Sequence, residues 1–164
     1  MKNNKTFKIV GLVTNFNTLL LTTVITILAA SGFIRDFSRV TIKSLVIGAL
    51  ILLILLLLSY VSWKNYFAIK EGIIIDIDKD EFTYPVKVKI WSFNENPRKT
   101  IPLSSIFAIS STFNMVRKIT SHFRPNYSVI IQSTEVNRPI TCSFYKIENS
   151  QRLSGVLGAS NSLR

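Results

Sequence analysis

Reactive chemistry in this chain has few side chains to draw on. Its 164 residues include one cysteine, Cys142, and one histidine, His122. A Cys–His pair can generate a thiolate nucleophile wherever a fold brings the two together, whatever their separation in sequence. Cys142, however, lies in the alternating stretch Thr141-Cys142-Ser143-Phe144, where a small buried thiol is the common outcome. A small membrane enzyme using Cys142 is therefore an alternative and not the leading expectation. A single cysteine also excludes an intrachain disulfide. Asp76, Asp78 and Asp80 alternate like the start of a calcium loop, but Glu81 and Lys87 stand where that loop needs glycine and its bidentate glutamate. There is no glycine-rich phosphate loop, no His-Glu-x-x-His and no Gly-x-Ser-x-Gly. The expectation is a non-enzymatic chain with no metal and no cofactor.

Charge is the feature that rises above background. Twenty Lys+Arg face nine Asp+Glu, a formal net charge of +11. From Asn96 to Thr134 there is no acid, while Arg98, Lys99, Arg117, Lys118 and Arg124 are present. Lys87 and Lys89 add to this set, as do Lys64 and Lys70 beside an apolar run. Each basic side chain near an anionic leaflet is worth about 1 kcal/mol, so the five residues form a candidate site for lipid headgroups or a partner. The same excess would also arise from a solvated face and positive-inside bias. Basic and aromatic residues are not interleaved on a platform, so nucleic acid is not an expected partner.

These residues need elements to hold them, and the strongest are apolar. The chain is 48% hydrophobic with only 18% charged residues, and its mean hydropathy is +0.32. Two stretches, residues 9–34 and 44–63, carry no charge, and each is long enough to cross a bilayer core of roughly 30 Å. The second ends in Tyr60, Trp63, Lys64 and Tyr66, an aromatic and basic collar suited to headgroup depth. In the first, Gly11, Asn15, Thr18, Thr22 and Thr26 recur every three or four residues. They predict a small-and-polar stripe packed on the second helix around Gly48 and Ala49. Neither stretch holds the ionisable residue that pumps usually need. Lys2, Lys5 and Lys8 before an apolar run ending Ala29-Ala30-Ser31 also fit a cleavable signal, a minor alternative. The organisation expected is a basic tail (1–8), a transmembrane hairpin (9–63) and a β-rich domain (64–164). Lysines flanking the ends outnumber the basic residues of the loop Arg35 to Lys43, which places both termini in the cytoplasm and the protein in the cell membrane.

Beyond the hairpin the pattern has period two. Ile73, Ile75 and Ile77 alternate with Ile74, Asp76 and Asp78, predicting a strand with one buried face. Residues 82–93 predict a longer strand, with Pro85 at an edge or bulge. Further strands are expected over 100–103, 106–111, 127–132 and 139–145. Asn149 is a helix cap and Gly158 a stop for a short terminal helix carrying Leu153, Val156 and Leu157 on one face. The fold class expected is an α+β membrane protein: two N-terminal transmembrane helices, then a small antiparallel sheet or barrel closed by a C-terminal helix.

Three strings add a family likeness. Lys70-Glu71-Gly72-Ile73-Ile74-Ile75-Asp76 resembles the opening strand of the pleckstrin-homology-like domains of bacterial membrane proteins. Ile101-Pro102-Leu103-Ser104-Ser105-Ile106 resembles their apolar-Pro-apolar-Ser-x-Ile strand and turn, and Ser150 to Leu157 would be the closing helix. Phe107-Ala108-Ile109 stands where an arginine-rich continuation often follows in that family. The resemblance implies a PH-like barrel and carries no catalytic site. Together with the residues it points to a membrane-anchored binding or scaffold module, with membrane lipids and another membrane or cytoplasmic protein as partners. A toxin-immunity or secretion-apparatus component is the alternative of a different class.

Overall fold

A computed structural model describes residues 6–14, 16–36, 41–117 and 123–162. The chain divides into two compact units, one of Met1–Val13, Ala68–Pro85 and Arg98–Arg164, the other of Thr14–Phe67 and Val86–Pro97. Its class is α+β, with three helices and two antiparallel sheets among the described residues.

The first unit holds both sheets. Strands β1 (Thr6–Ile9), β2 (Ile73–Asp76), β3 (Glu81–Pro85) and β4 (Arg98–Pro102) form one, in that order. Strands β5 (Ile106–Arg117), β6 (Phe123–Ser133) and β7 (Ile140–Phe144) form the other. Alternation decides which side chains point inward: Ile73, Ile75, Phe82, Val129, Ile131 and Phe144 are fully buried. A 3-10 turn at Leu103–Ser105 joins β4 to β5 and buries Leu103. Past β1, Leu12 forms a bridge with Phe144, and the Val13 N–H donates to the Ser143 carbonyl at 2.8 Å. Helix α3 (Ile147–Ser162) buries Leu153 and Leu157.

Two tight positions set the registers. Gly72 has φ +83, and a Cβ there would collide with the Ile9 carbonyl oxygen. Only glycine lets β1 lie this close, with Ile9 opposite Ile73. Asp80, at φ 58, closes the β2–β3 turn, and its carboxylate accepts from the Ser104 N–H at 3.1 Å and from the Ser104 hydroxyl. Asp76 accepts from the Lys79 N–H at 3.1 Å. The alternating aspartates are thus turn-forming residues.

In the second unit α1 spans Phe16–Asp36, and α2, Ile42–Glu71, contributes its residues up to Phe67. The Thr26 hydroxyl donates to the Thr22 carbonyl at 2.7 Å and lies 3.3 Å from that of Leu55, and Trp63 Nε1 donates to Thr23 Oγ1 at 3.1 Å. Leu20, Leu21, Ile27, Leu28, Val46, Leu50 and Ile54 are exposed. Among the described residues one helix, α2, is long and apolar enough to cross a membrane by length and composition; the apolar part of α1, Leu19–Arg35, is shorter.

Several boundaries differ from those expected. Residues 6–9 are a strand within the supposed basic tail, and Ile9 is buried in the core, so the first helix starts at Phe16. The second runs on to Glu71, which takes Lys70 and Glu71 out of the strand that opens at Ile73. The strand expected over 82–93 stops at Pro85, because Asn65 takes both backbone groups of Val88 away from any ladder. The terminal helix is longer at both ends: Asn149 is inside it and Gly158 does not stop it, a mid-helix glycine costing only about 1 kcal/mol.

Candidate membrane-facing site

Of the five basic residues expected to form one patch, Arg98 is committed elsewhere. Its guanidinium donates to Glu71 Oε2 at 2.7 Å and to the Gly72 carbonyl at 3.1 Å, tying β4 to the end of α2. Its side chain is only 14% exposed, so it is a structural ion-pair residue and not a free surface cation. Lys99 is exposed on the edge strand β4. Arg117 and Arg124 lie at the far end of the β5–β6 ladder, in the neighbouring pairs Arg117–Phe123 and Val116–Arg124. Lys118 lies outside the described residues. The structure therefore places Lys99 on one sheet and Arg117 with Arg124 on the other.

The helix-packing stripe is redistributed too. Gly11 precedes α1, at φ +90, and faces Asn149 of α3, so it belongs to the β-rich unit. Asn15 lies outside the described residues, and Thr18 is in the first turn of α1. The Thr22 hydroxyl turns back on its own helix, to the Leu19 carbonyl at 2.9 Å. Gly48 faces the Phe33 ring, where a Cβ would come within 2.8 Å. Small size at Gly48 admits an aromatic from α1.

Of the two residues that could do covalent chemistry, Cys142 is among those described. Cys142 is buried, and desolvation pushes its thiol up to about 12, the reverse of what a thiolate nucleophile requires. His122 lies outside the described residues. Among the described residues no group of three or more His, Cys, Asp or Glu side chains could hold a metal ion.

What the fold does build is a collar around α2. Trp63, Tyr66 and Phe67 pack ring against ring, with centroids 5.5–5.9 Å apart, and Phe16 of α1 adds a fourth ring 5.8 Å from Tyr66. Lys64 Nζ stands 5.9 Å from the Tyr60 ring. The excursion Val86–Pro97 is fastened to this collar. Its base closes through the Val86 N–H to the Pro97 carbonyl at 2.7 Å. Asn65 clasps Val88 from both sides, Nδ2 donating to its carbonyl at 2.9 Å and Oδ1 accepting its N–H at 2.8 Å. Lys64 Nζ donates to the Phe93 carbonyl at 2.7 Å.

Sequence reasoning missed this excursion. The signal was a change of phase: Val86, Val88 and Ile90 are apolar at even positions, then Trp91 and Phe93 at odd ones. A strand cannot change face between adjacent residues without a break, and the chain makes a 3-10 turn at Ile90–Ser92.

No protein family, curated protein sequence or solved structure matches this chain.

Proposed function

We propose that this chain is a membrane-anchored, non-enzymatic binding module, with α1 and α2 crossing the bilayer as a hairpin and the β-rich unit held at its cytoplasmic face. One observation carries the reading. Strands β1 and β2 pair residue by residue, from Thr6–Asp76 to Ile9–Ile73. Paired residues lie on the same side of any membrane, so the chain between Ile9 and Ile73 crosses an even number of times. If α2 crosses, a second crossing is required, and α1 is the other helix in that interval. Its charge-free part, residues 16–34, extends about 28 Å and falls within the range of about 17–25 residues that a span of a roughly 30 Å core takes. The lysines flanking the outer ends, among them Lys64 and Lys70, favour the cytoplasmic side for the β-rich unit. There the exposed Lys99 and the arginines of the β5–β6 end would meet anionic headgroups or a protein partner, and the two sheets with α3 would form a PH-like scaffold.

Accessibility labelling tests this directly, because the native thiol of Cys142 is buried. In intact cells a Thr41→Cys variant should react with a membrane-impermeant maleimide, and a Lys99→Cys variant only after lysis. Equal reactivity at the two positions would refute the hairpin, and the reverse pattern would move the β-rich unit outside.

A further inference from the structure

The excursion Val86–Pro97 carries a combination that its role as a connection between β3 and β4 leaves unused. Trp91 is 80% exposed, and Ile90 and Phe93 are exposed beside it. Lys87 and Lys89 are exposed too, and Lys89 Nζ lies 5.3 Å from the Trp91 ring centroid. Glu95 is the one acid of the segment. Tryptophan exposed to water is costly, but an indole with flanking lysines suits the boundary between headgroups and acyl chains.

Its attachment fixes the level at which this group sits. Val88 and Phe93 are hydrogen-bonded to Asn65 and Lys64, the residues that directly follow the charge-free run ending at Trp63. Trp91 is two residues from Phe93, so its backbone lies within about 7 Å of the Phe93 position. That distance is comparable to the thickness of one interfacial region: a core of roughly 30 Å grows to about 40–45 Å with both headgroup layers. Buried Val88 and the two-sided Asn65 clasp hold the base, leaving the 3-10 turn to present the ring.

The geometry points to Val86–Pro97 as an interfacial anchor, in which Trp91, Ile90 and Phe93 enter the headgroup–acyl boundary of the bilayer that α2 crosses while Lys87 and Lys89 meet anionic headgroups. It rests on the reading of α2 as a membrane helix and adds to it a second, peripheral attachment by a different part of the chain. The occupant is lipid and not a protein, because the collar places the group at headgroup depth.

The chain has only two tryptophans, Trp63 and Trp91, which makes the test clean. The full-length protein is reconstituted in phosphatidylethanolamine–phosphatidylglycerol vesicles, with and without a phosphatidylcholine brominated near the top of its acyl chains. Trp63→Phe leaves Trp91 as sole reporter; Trp91→Phe leaves Trp63. Subtracting the Trp91→Phe signal from that of the unaltered protein reads Trp91 again should Trp63→Phe disturb the helices. Trp91 should have a blue-shifted emission, lose most of its intensity to the brominated lipid and resist aqueous iodide. If Trp91 emits as in water and iodide quenches it while Trp63 is quenched by lipid, the anchor is refuted and the membrane helix stands. If neither tryptophan responds to lipid, both readings fall. Shielding of Trp91 from iodide and lipid alike would mean a protein contact, and would also overturn the proposal.

Discussion

The two units of this chain sort the same residue types in opposite directions. In the β-rich unit most large apolar side chains point inward, Ile73, Ile75, Phe82 and Phe144 having no exposed surface, with Phe107 and Phe113 of β5 as exceptions. In the helical unit they point outward, with Ile42, Leu28, Ile27 and Leu21 all at least 60% exposed. Left facing water, each such side chain forgoes the roughly 1.5–3 kcal/mol that its burial is worth. Water drives the first inward, and the outward face of the second is the pattern expected of the membrane hairpin proposed above, with threonine hydroxyls bonded on their own helix.

The contrast can be broken most strongly from the core side. Phe82→Ala should cost about 3–5 kcal/mol of stability, because a fully buried ring leaves a cavity. Protease resistance of the β-rich unit should collapse in thermal challenge, while fractionation with membranes persists. The converse change is Ile54→Arg, at an exposed position of α2. On a protein surface in water such a change stays within about 0.5 kcal/mol. At the centre of a spanning helix arginine costs about 2.5–3.5 kcal/mol, so an insertion assay should show loss of that size.

A smaller effect comes from the buried thiol. An unfolded Cys142 ionises near its ordinary 9.0, whereas the folded one keeps its proton up to about 12. Between those values the unfolded state has shed a proton that the folded state retains, so stability falls as pH rises. The slope is about 1.4 kcal/mol per pH unit. Denaturation midpoints of the unaltered chain and of Cys142→Ala should diverge only above about pH 9, the unaltered chain losing more. Smallest is the division within the basic set. Arg98→Gln should destabilise by about 1 kcal/mol through the lost bonds to Glu71 and Gly72. Lys99→Gln should leave unfolding within about 0.5 kcal/mol of the original. Equal effects would return Arg98 to the surface patch.

What sequence could read followed period and length. Ile73–Ile75, Thr141–Phe144 and the Leu–Ile run of α2 each declare their element through local pattern alone, and so did the burial of Cys142. What it could not read depended on distant partners. Thr6–Ile9 is a strand only because Gly72 admits it beside β2, and its lysine-rich neighbourhood looks like a tail. Arg98 counts as a surface cation until Glu71 is known to stand 2.7 Å away. The Val86–Pro97 excursion is decided by Asn65, more than twenty residues earlier, a helix residue with no local mark of that role.

The pairing of β1 with β2 also sets an order of events during synthesis. A ribosome releases Thr6–Ile9 first, then both helices, and only afterwards the partner strand Ile73–Asp76. At about 5–20 residues per second, β1 waits on the order of several seconds for its neighbour. Joining strands separated by residues 10–72 in a free chain would cost roughly 3–4 kcal/mol in loop-closure entropy. If α1 and α2 cross a bilayer side by side, as proposed above, their outer ends would stand about 8–10 Å apart and most of that cost would already be met. Insertion of the proposed hairpin would then act as the nucleation step for the sheet, and a chain whose helices stayed out of the bilayer would also miss its first strand pair.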